Sequence, residues 1–252
     1  MKIIREKIVT SDFGEKESEI FIYQSEKETN KVLFIIKGMY GRHIPFTNIT
    51  TKPKWDMRFV NRLTKDIHVV CCNTSSRKIY IENDFSDKEK AYFGKTFQQE
   101  VGDIQKIIER TKDIFYNLGI QALDLYFFGK SFGGTLLLGL QETLEAKAIY
   151  MVGSGCGKSE TTLKTFLVTM PKEADLLKNI SVYNNGKLYF FRGELDDVVP
   201  KESQEKIVNA ANKDITEYTV LEGVDHEFEK INGVYSDIPI NYLLQKISDS
   251  IL

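Results

Sequence analysis

Gly129-Lys130-Ser131-Phe132-Gly133-Gly134 separates two apolar runs, Leu123 to Phe128 before it and Leu136-Leu137-Leu138 after it. The arrangement reads as a strand, a serine framed by glycines, and a helix. A chain that passes from strand to helix at one residue needs small neighbours, because the two elements approach too closely for side chains. The serine hydroxyl is then pushed out beyond the sheet edge, and the next backbone N–H points at the same space. Such a turn narrows the fold to a sheet with a helix packed on it. It also demands partners. A nucleophilic serine needs a base, and the base needs an acid that orients it.

The rest of the chain supplies the alternation. Apolar strands are expected at Ile3 to Thr10, Glu19 to Tyr23, Lys31 to Ile36, His68 to Cys72, Leu123 to Phe128, Ala146 to Val152, Leu188 to Phe191 and Glu217 to Leu221. Helical spacing falls between them, at Pro53 to Leu63, Phe97 to Leu118 with Gly119 as its C-cap, Ser131 to Glu142, Glu202 to Ala211 and Ile240 to Leu252. Thr74 to Lys95 is polar and reads as a loop. Near-continuous apolar strands alternating with helices imply an α/β fold: a mostly parallel sheet of about eight strands, covered by helices on both faces. The first two strands, joined by the turn Ser11-Asp12-Phe13-Gly14, suit an antiparallel edge. A mixed stretch at 157–186, with Pro171 inside it, reads as a small lid or cap insertion within a single domain spanning 1–252.

In such a sheet, sites form at the carboxyl ends of the strands. Two later strand ends carry the required partners. After Leu188–Phe191 comes Gly193-Glu194-Leu195-Asp196-Asp197, where Asp196 is the expected acid and Asp197 the alternative one register step away. After Glu217–Leu221 comes Gly223-Val224-Asp225-His226. The chain has three histidines. His68 lies inside an apolar strand and His43 in the loop after the third strand. Only His226 follows a strand end downstream of an acid loop.

The sequence Gly129-Lys130-Ser131-Phe132-Gly133, Gly193-Glu194-Leu195-Asp196 with Val199-Pro200, and Gly223-Val224-Asp225-His226 resembles the α/β-hydrolase superfamily over almost the whole chain. The resemblance implies Ser131 as nucleophile, His226 as general base and then acid, and Asp196 as the group that fixes the histidine tautomer. It further implies an oxyanion hole built from the backbone N–H of Phe132 and one N–H after the third strand, where the chain reads Lys37-Gly38-Met39-Tyr40-Gly41. Met39 is the expected donor and Tyr40 the alternative. Lys37 stands where family members often carry histidine, and a backbone donor is indifferent to that exchange. The implied activity is that of a serine esterase or thioesterase acting on a small-molecule acyl substrate. Acyl transfer to another acceptor, peptide cleavage, and a non-catalytic ligand-binding homologue are the alternatives. Tyr40, Lys130, Phe166 and Met170 are candidate substrate-binding residues, and Arg42, His43 and Lys130 would either favour an anionic substrate or sit as solvated charge.

Composition restricts the remaining classes. A net charge of −2 gives no basic surface for nucleic acid. No apolar run reaches a membrane span, and no signal-peptide pattern opens the chain, so a cytoplasmic location is expected. Cys71, Cys72 and Cys156 have neither metal-ligand nor disulfide spacing and read as small buried hydrophobes. No metal or cofactor is expected. Val152-Gly153-Ser154-Gly155-Cys156-Gly157-Lys158-Ser159 resembles a phosphate-binding P-loop, but Val152 occupies the position of its first glycine. Nucleotide binding at 152–159 is therefore not expected.

Overall fold

The computed structural model describes residues 2–39, 41–43, 55–77, 90–156 and 169–251. Among them, eight strands form one sheet in the order β1-β2-β4-β3-β5-β6-β7-β8. The strands are β1 (Ile3–Ile8), β2 (Ser18–Tyr23), β3 (Lys31–Ile36), β4 (His68–Asn73), β5 (Asp124–Lys130), β6 (Ala148–Val152), β7 (Lys187–Gly193) and β8 (Thr216–Leu221). β1 pairs antiparallel with β2, and β2 antiparallel with β4; the other pairings are parallel. This is the mostly parallel sheet with an antiparallel edge that the apolar pattern predicts.

Side-chain alternation along each strand divides the core in two. Val32, Phe34 and Ile36 of β3 face one cluster, with Ile104, Ile107 and Phe115 of helix α2 (Phe97–Asn117) and Leu136 of α3 (Phe132–Leu137). Leu33 and Ile35 face the other, with Met57, Phe59 and Val60 of α1 (Trp55–Leu63) and Leu243, Leu244 and Ile247 of the last helix, Ile238–Ile251. β3 and β5 lie side by side at the centre, and the chain leaves them toward opposite sides of the sheet. Their carboxyl ends therefore flank a crevice, the topological switch point of an open parallel sheet.

Several boundaries differ from the sequence reading. The helix expected to reach Glu142 stops at Leu137, and a 3₁₀ turn follows at Gln141–Glu145. Gly139 lies between them, so close to α2 that a Cβ there would stand 3.0 Å from both Phe97 and Val101. The strand expected from Ala146 begins at Ala148, because Ala146 N–H is spent on the Thr143 carbonyl. Within the expected excursion, 157–168 lies outside the described residues. Glu173–Ser181 forms α4, which seats Leu176 and Ile180 in the first core cluster. Helix α5 is Lys201–Ala210. A small hairpin, β9 (Lys230–Ile231) and β10 (Val234–Tyr235), precedes the last helix, α6.

Candidate active site

Ser131 sits between β5 and α3 with φ 54° and ψ −125°. A left-handed φ is disfavoured for a residue with a Cβ, and it persists only where the surroundings fix it. Here three glycines do so. A Cβ on Gly129 would stand 2.6 Å from the backbone of Gly134, one on Gly133 2.2 Å from the Ile36 carbonyl oxygen, and one on Gly134 2.0 Å from Ser154 Oγ. Ser131 N–H donates to Val152 O (2.8 Å), and Gly134 N–H returns to Ser131 O (3.0 Å). The close packing that makes the turn sharp thus reaches both neighbouring strands, β3 and β6.

His226 follows β8. Its Nε2 lies 3.1 Å from Ser131 Oγ, and its Nδ1 lies 2.9 Å from Asp196 Oδ2. An Nδ1–H donated to the carboxylate leaves Nε2 as acceptor for the serine hydroxyl, the tautomer in which a neutral imidazole can take the serine proton. Asp196 is buried, as is His226. Burial pushes the Asp196 carboxyl up, but the hydrogen bond from His226 and those from Val199 and Val198 N–H outweigh it, and the net shift is downward. The carboxylate is therefore ionised at neutral pH. Asp197 is exposed and does not share this environment.

The acid loop is braced by residues that sequence reading passed over. Arg192 donates from Nη2 to Asp196 O and from Nη1 to Val199 O, both at 2.8 Å. Glu194 accepts Gly223 N–H at 2.8 Å, tying the acid loop to the histidine loop. The available signal was an arginine directly after the apolar run Leu188–Phe191; Arg192 is still within β7 and buried. Gly153 (φ 54°) approaches so closely that a Cβ would lie 3.2 Å from both Asp196 Oδ2 and His226 Nδ1. The glycines of the P-loop look-alike that are described, Gly153 and Gly155, thus pack against the Asp196–His226 pair and against Ser203. Lys158 and Ser159 lie outside the described residues.

On the β3 side, Gly38 lies against the Ser131 turn, where a Cβ would meet Ser131 Cβ at 3.2 Å. Met39 and Phe132 line one cavity of about 30 Å³ together with Gly38, Cys72, Thr74 and Leu136, room for a water-sized group. Tyr40 and Phe166 lie outside the described residues. Met170 is half-buried and packs on the first core cluster. Lys130, Arg42 and His43, expected near the site, are neither solvated nor without acidic partners. Lys130 Nζ is 2.5 Å from Glu227 Oε2, Arg42 Nη2 is 3.6 Å from Glu19 Oε2, and buried His43 places Nδ1 2.7 Å from Asp56 Oδ2. This corrects the solvated reading, and the paired acids weaken the case for an anionic substrate. Among the described residues, no group of three His, Cys, Asp or Glu side chains is disposed to hold a metal ion, and no helix is long and apolar enough to cross a membrane.

No family model matches the chain, and no curated protein matches it in sequence. Its shape has many counterparts among solved structures. A highly thermostable carboxyl esterase from Bacillus coagulans, in complex with glycerol, superposes with a TM-score of 0.68 at 10% identity, each chain covered completely. A soluble variant of monoglyceride lipase from Saccharomyces cerevisiae, bound to a substrate analogue, gives 0.65 at 11% identity over 98% of this chain and 94% of the lipase. The esterase domain of a Rhodothermus marinus protein gives 0.60 at 12% identity, over 98% of this chain and 97% of the domain. At such identities the likeness is one of fold: the chain has the α/β-hydrolase fold.

Proposed function

We propose that this protein is a serine hydrolase that cleaves a carboxylic ester or thioester through an acyl-enzyme on Ser131. The observation that carries the reading is the relay Ser131 Oγ to His226 Nε2 (3.1 Å) and His226 Nδ1 to Asp196 Oδ2 (2.9 Å), set past the carboxyl ends of β5, β8 and β7. Ser131 Oγ attacks the acyl carbonyl carbon while His226 Nε2 takes its proton. The carbonyl oxygen becomes an oxyanion, held by the backbone N–H groups of Met39 and Phe132. The intermediate collapses, the bond to the alcohol or thiol breaks, and His226 returns the proton to that leaving group. Water then attacks the acyl-enzyme by the same route, giving the carboxylic acid and free Ser131. Asp196 keeps the imidazole in the productive tautomer and stabilises the imidazolium.

The esterase and lipase neighbours agree with this chemistry at the level of fold. The test is covalent labelling by a fluorophosphonate, followed by turnover of p-nitrophenyl esters and thioesters of graded acyl length. Ser131→Ala should lose labelling and reduce turnover by several orders of magnitude with the fold intact. Labelling of that variant at the wild-type rate would remove Ser131 from its role.

A further inference from the structure

Asp56 lies on α1, away from the serine, and is completely buried. One of its oxygens, Oδ2, receives both ends of the loop that follows β3. Lys37 Nζ, at the start of the loop, donates to it at 2.9 Å, and His43 Nδ1, at the end, lies 2.7 Å away. Lys37 Nζ also donates to Arg42 O at 2.7 Å, closing the loop a second time across its own ends. Between these anchors lies Met39, whose N–H is the oxyanion donor in the reading above. The inference rests on that reading.

The anchors are themselves fixed from three sides. His43 Nε2 lies 2.5 Å from Tyr23 OH on β2; with Nδ1–H given to Asp56, Nε2 is the acceptor and the phenol donates. His43 N–H donates to Asn73 Oδ1 at 2.6 Å, and Asn73 Nδ2 donates to His43 O at 3.0 Å, which ties the loop to the end of β4. Gly41 N–H donates to Gly38 O at 2.9 Å inside the loop. On the far side, the Lys37 carbonyl oxygen would stand 2.7 Å from a Cβ on Gly133, so the loop has no room to relax toward α3.

A buried ion pair is a poor device for stability alone, because well-packed apolar side chains do as well or better. Asp56 illustrates the cost: its second oxygen, Oδ1, is buried without a hydrogen-bond partner among the described residues. What a carboxylate does that an apolar side chain cannot is hold two groups on one atom at fixed distance. We infer that Asp56 is a positioning residue for the reaction: with Lys37 and His43 it staples the loop after β3, and so sets the Met39 N–H in place before the oxyanion forms. A donor set in advance needs no reorganisation in the transition state, and a displacement of about 1 Å costs on the order of 100-fold in rate.

The experiment compares wild type with Asp56→Asn, which keeps the shape and removes the charge. Three quantities are read: kcat per active site counted by fluorophosphonate, KM, and affinity for a trifluoromethyl ketone that forms a tetrahedral adduct. Hydrogen exchange over 37–43 is followed alongside. We expect kcat per active site to fall about 10- to 100-fold with KM little changed, and the ketone to bind weaker by the same factor. Exchange should quicken in 37–43 and not in β5 or β6. A merely destabilised variant would lose active sites and leave these per-site values alone, which would overturn the inference, as would unchanged exchange in the loop. If Asp56→Asn does not fold, Lys37→Met cuts the staple at one end and is read in the same way. Wild-type protein that takes no fluorophosphonate and cleaves no ester would sink the parent reading and this role with it; labelled wild type beside an unaffected variant would sink the staple alone.

Discussion

The turn at Ser131 holds a residue with a Cβ at positive φ, and the strain can be read by removing that Cβ. Ser131→Ala and Ser131→Gly both delete the hydroxyl and its contact with His226, so that loss cancels between them. They differ in whether a Cβ must be carried at φ 54° and ψ −125°. A non-glycine residue held in such a region costs roughly 1–3 kcal/mol. Glycine gives back about 0.4–1 kcal/mol through the greater freedom of its unfolded chain. The difference leaves Ser131→Gly more stable than Ser131→Ala by about 1 kcal/mol, or about 2–4 °C in Tm for a chain of this size. The assay is thermal unfolding of the two variants side by side, with urea unfolding as a second measure. The surroundings are too tight for the turn to open and escape the strain, since a Cβ on Gly129 or Gly133 would meet backbone and one on Gly134 the Ser154 side chain. A Ser131→Gly protein melting at or below Ser131→Ala would mean that the turn carries no strain at this residue.

Asp196→Asn should lower kcat by about 10⁴ through the wrong histidine tautomer, while exposed Asp197→Asn should be mild; the reverse outcome would exchange their roles. Gly153→Ala brings a Cβ to 3.2 Å from Asp196 Oδ2 and His226 Nδ1 and imposes a side chain at φ 54°, so kcat should drop about 10-fold or more with KM little changed. Unaltered kcat there would show that the Asp196–His226 geometry does not depend on that approach. Burial raises the Asp56 carboxyl, but the hydrogen bond from His43 and the charge and hydrogen bond of Lys37 overcome it and bring it from 3.8 down to about 2. Its folded value is depressed, so the stability it contributes is fully present above about pH 4 and is lost as pH falls through about 2. That contribution is about 2 kcal/mol. The gap in unfolding free energy between wild type and Asp56→Asn should therefore narrow by about 1.5 kcal/mol between pH 6 and pH 2.5, and a gap that stays constant would contradict the assignment.

The sheet was legible because buried parallel strands leave no choice of residue. Val32 to Ile36 and Leu125 to Phe128 are apolar without interruption, since each face of the strand meets a helix layer. The positions of Ser131, Asp196 and His226 were legible for a related reason: each is a polar residue just past an apolar run. The β9–β10 hairpin had a signal that went unread. Ile231-Asn232-Gly233-Val234 places Asn and Gly, with φ 50° and 79°, in a two-residue turn between apolar residues, the strongest short-range mark of a hairpin. Other features had no local signal. Lys130 and Glu227, the chain neighbours of Ser131 and His226, are 97 positions apart and pair only because β5 and β8 end at the same sheet edge. A sequence read segment by segment shows two charges there, and only the topology makes them a pair.

Lys37 shows where reasoning from residue types stops. A backbone N–H donates in the same way whatever side chains flank it, so replacing the histidine common in the family leaves the chemical identity of the donor untouched. Its position is another matter. A loop between a strand and a distant helix has many conformations, and a donor misplaced by about 1 Å gives up most of its effect. The lysine ammonium spans the loop to Arg42 O and meets the Asp56 carboxylate that also receives His43. None of these three side chains touches the serine, and each of them limits where Met39 can be. The sequence shows a lysine, a histidine and an aspartate at 37, 43 and 56, spaced too irregularly to suggest a common oxygen. Their convergence is imposed by α1 crossing the sheet beside β4, and it exists only once the core on that face has formed.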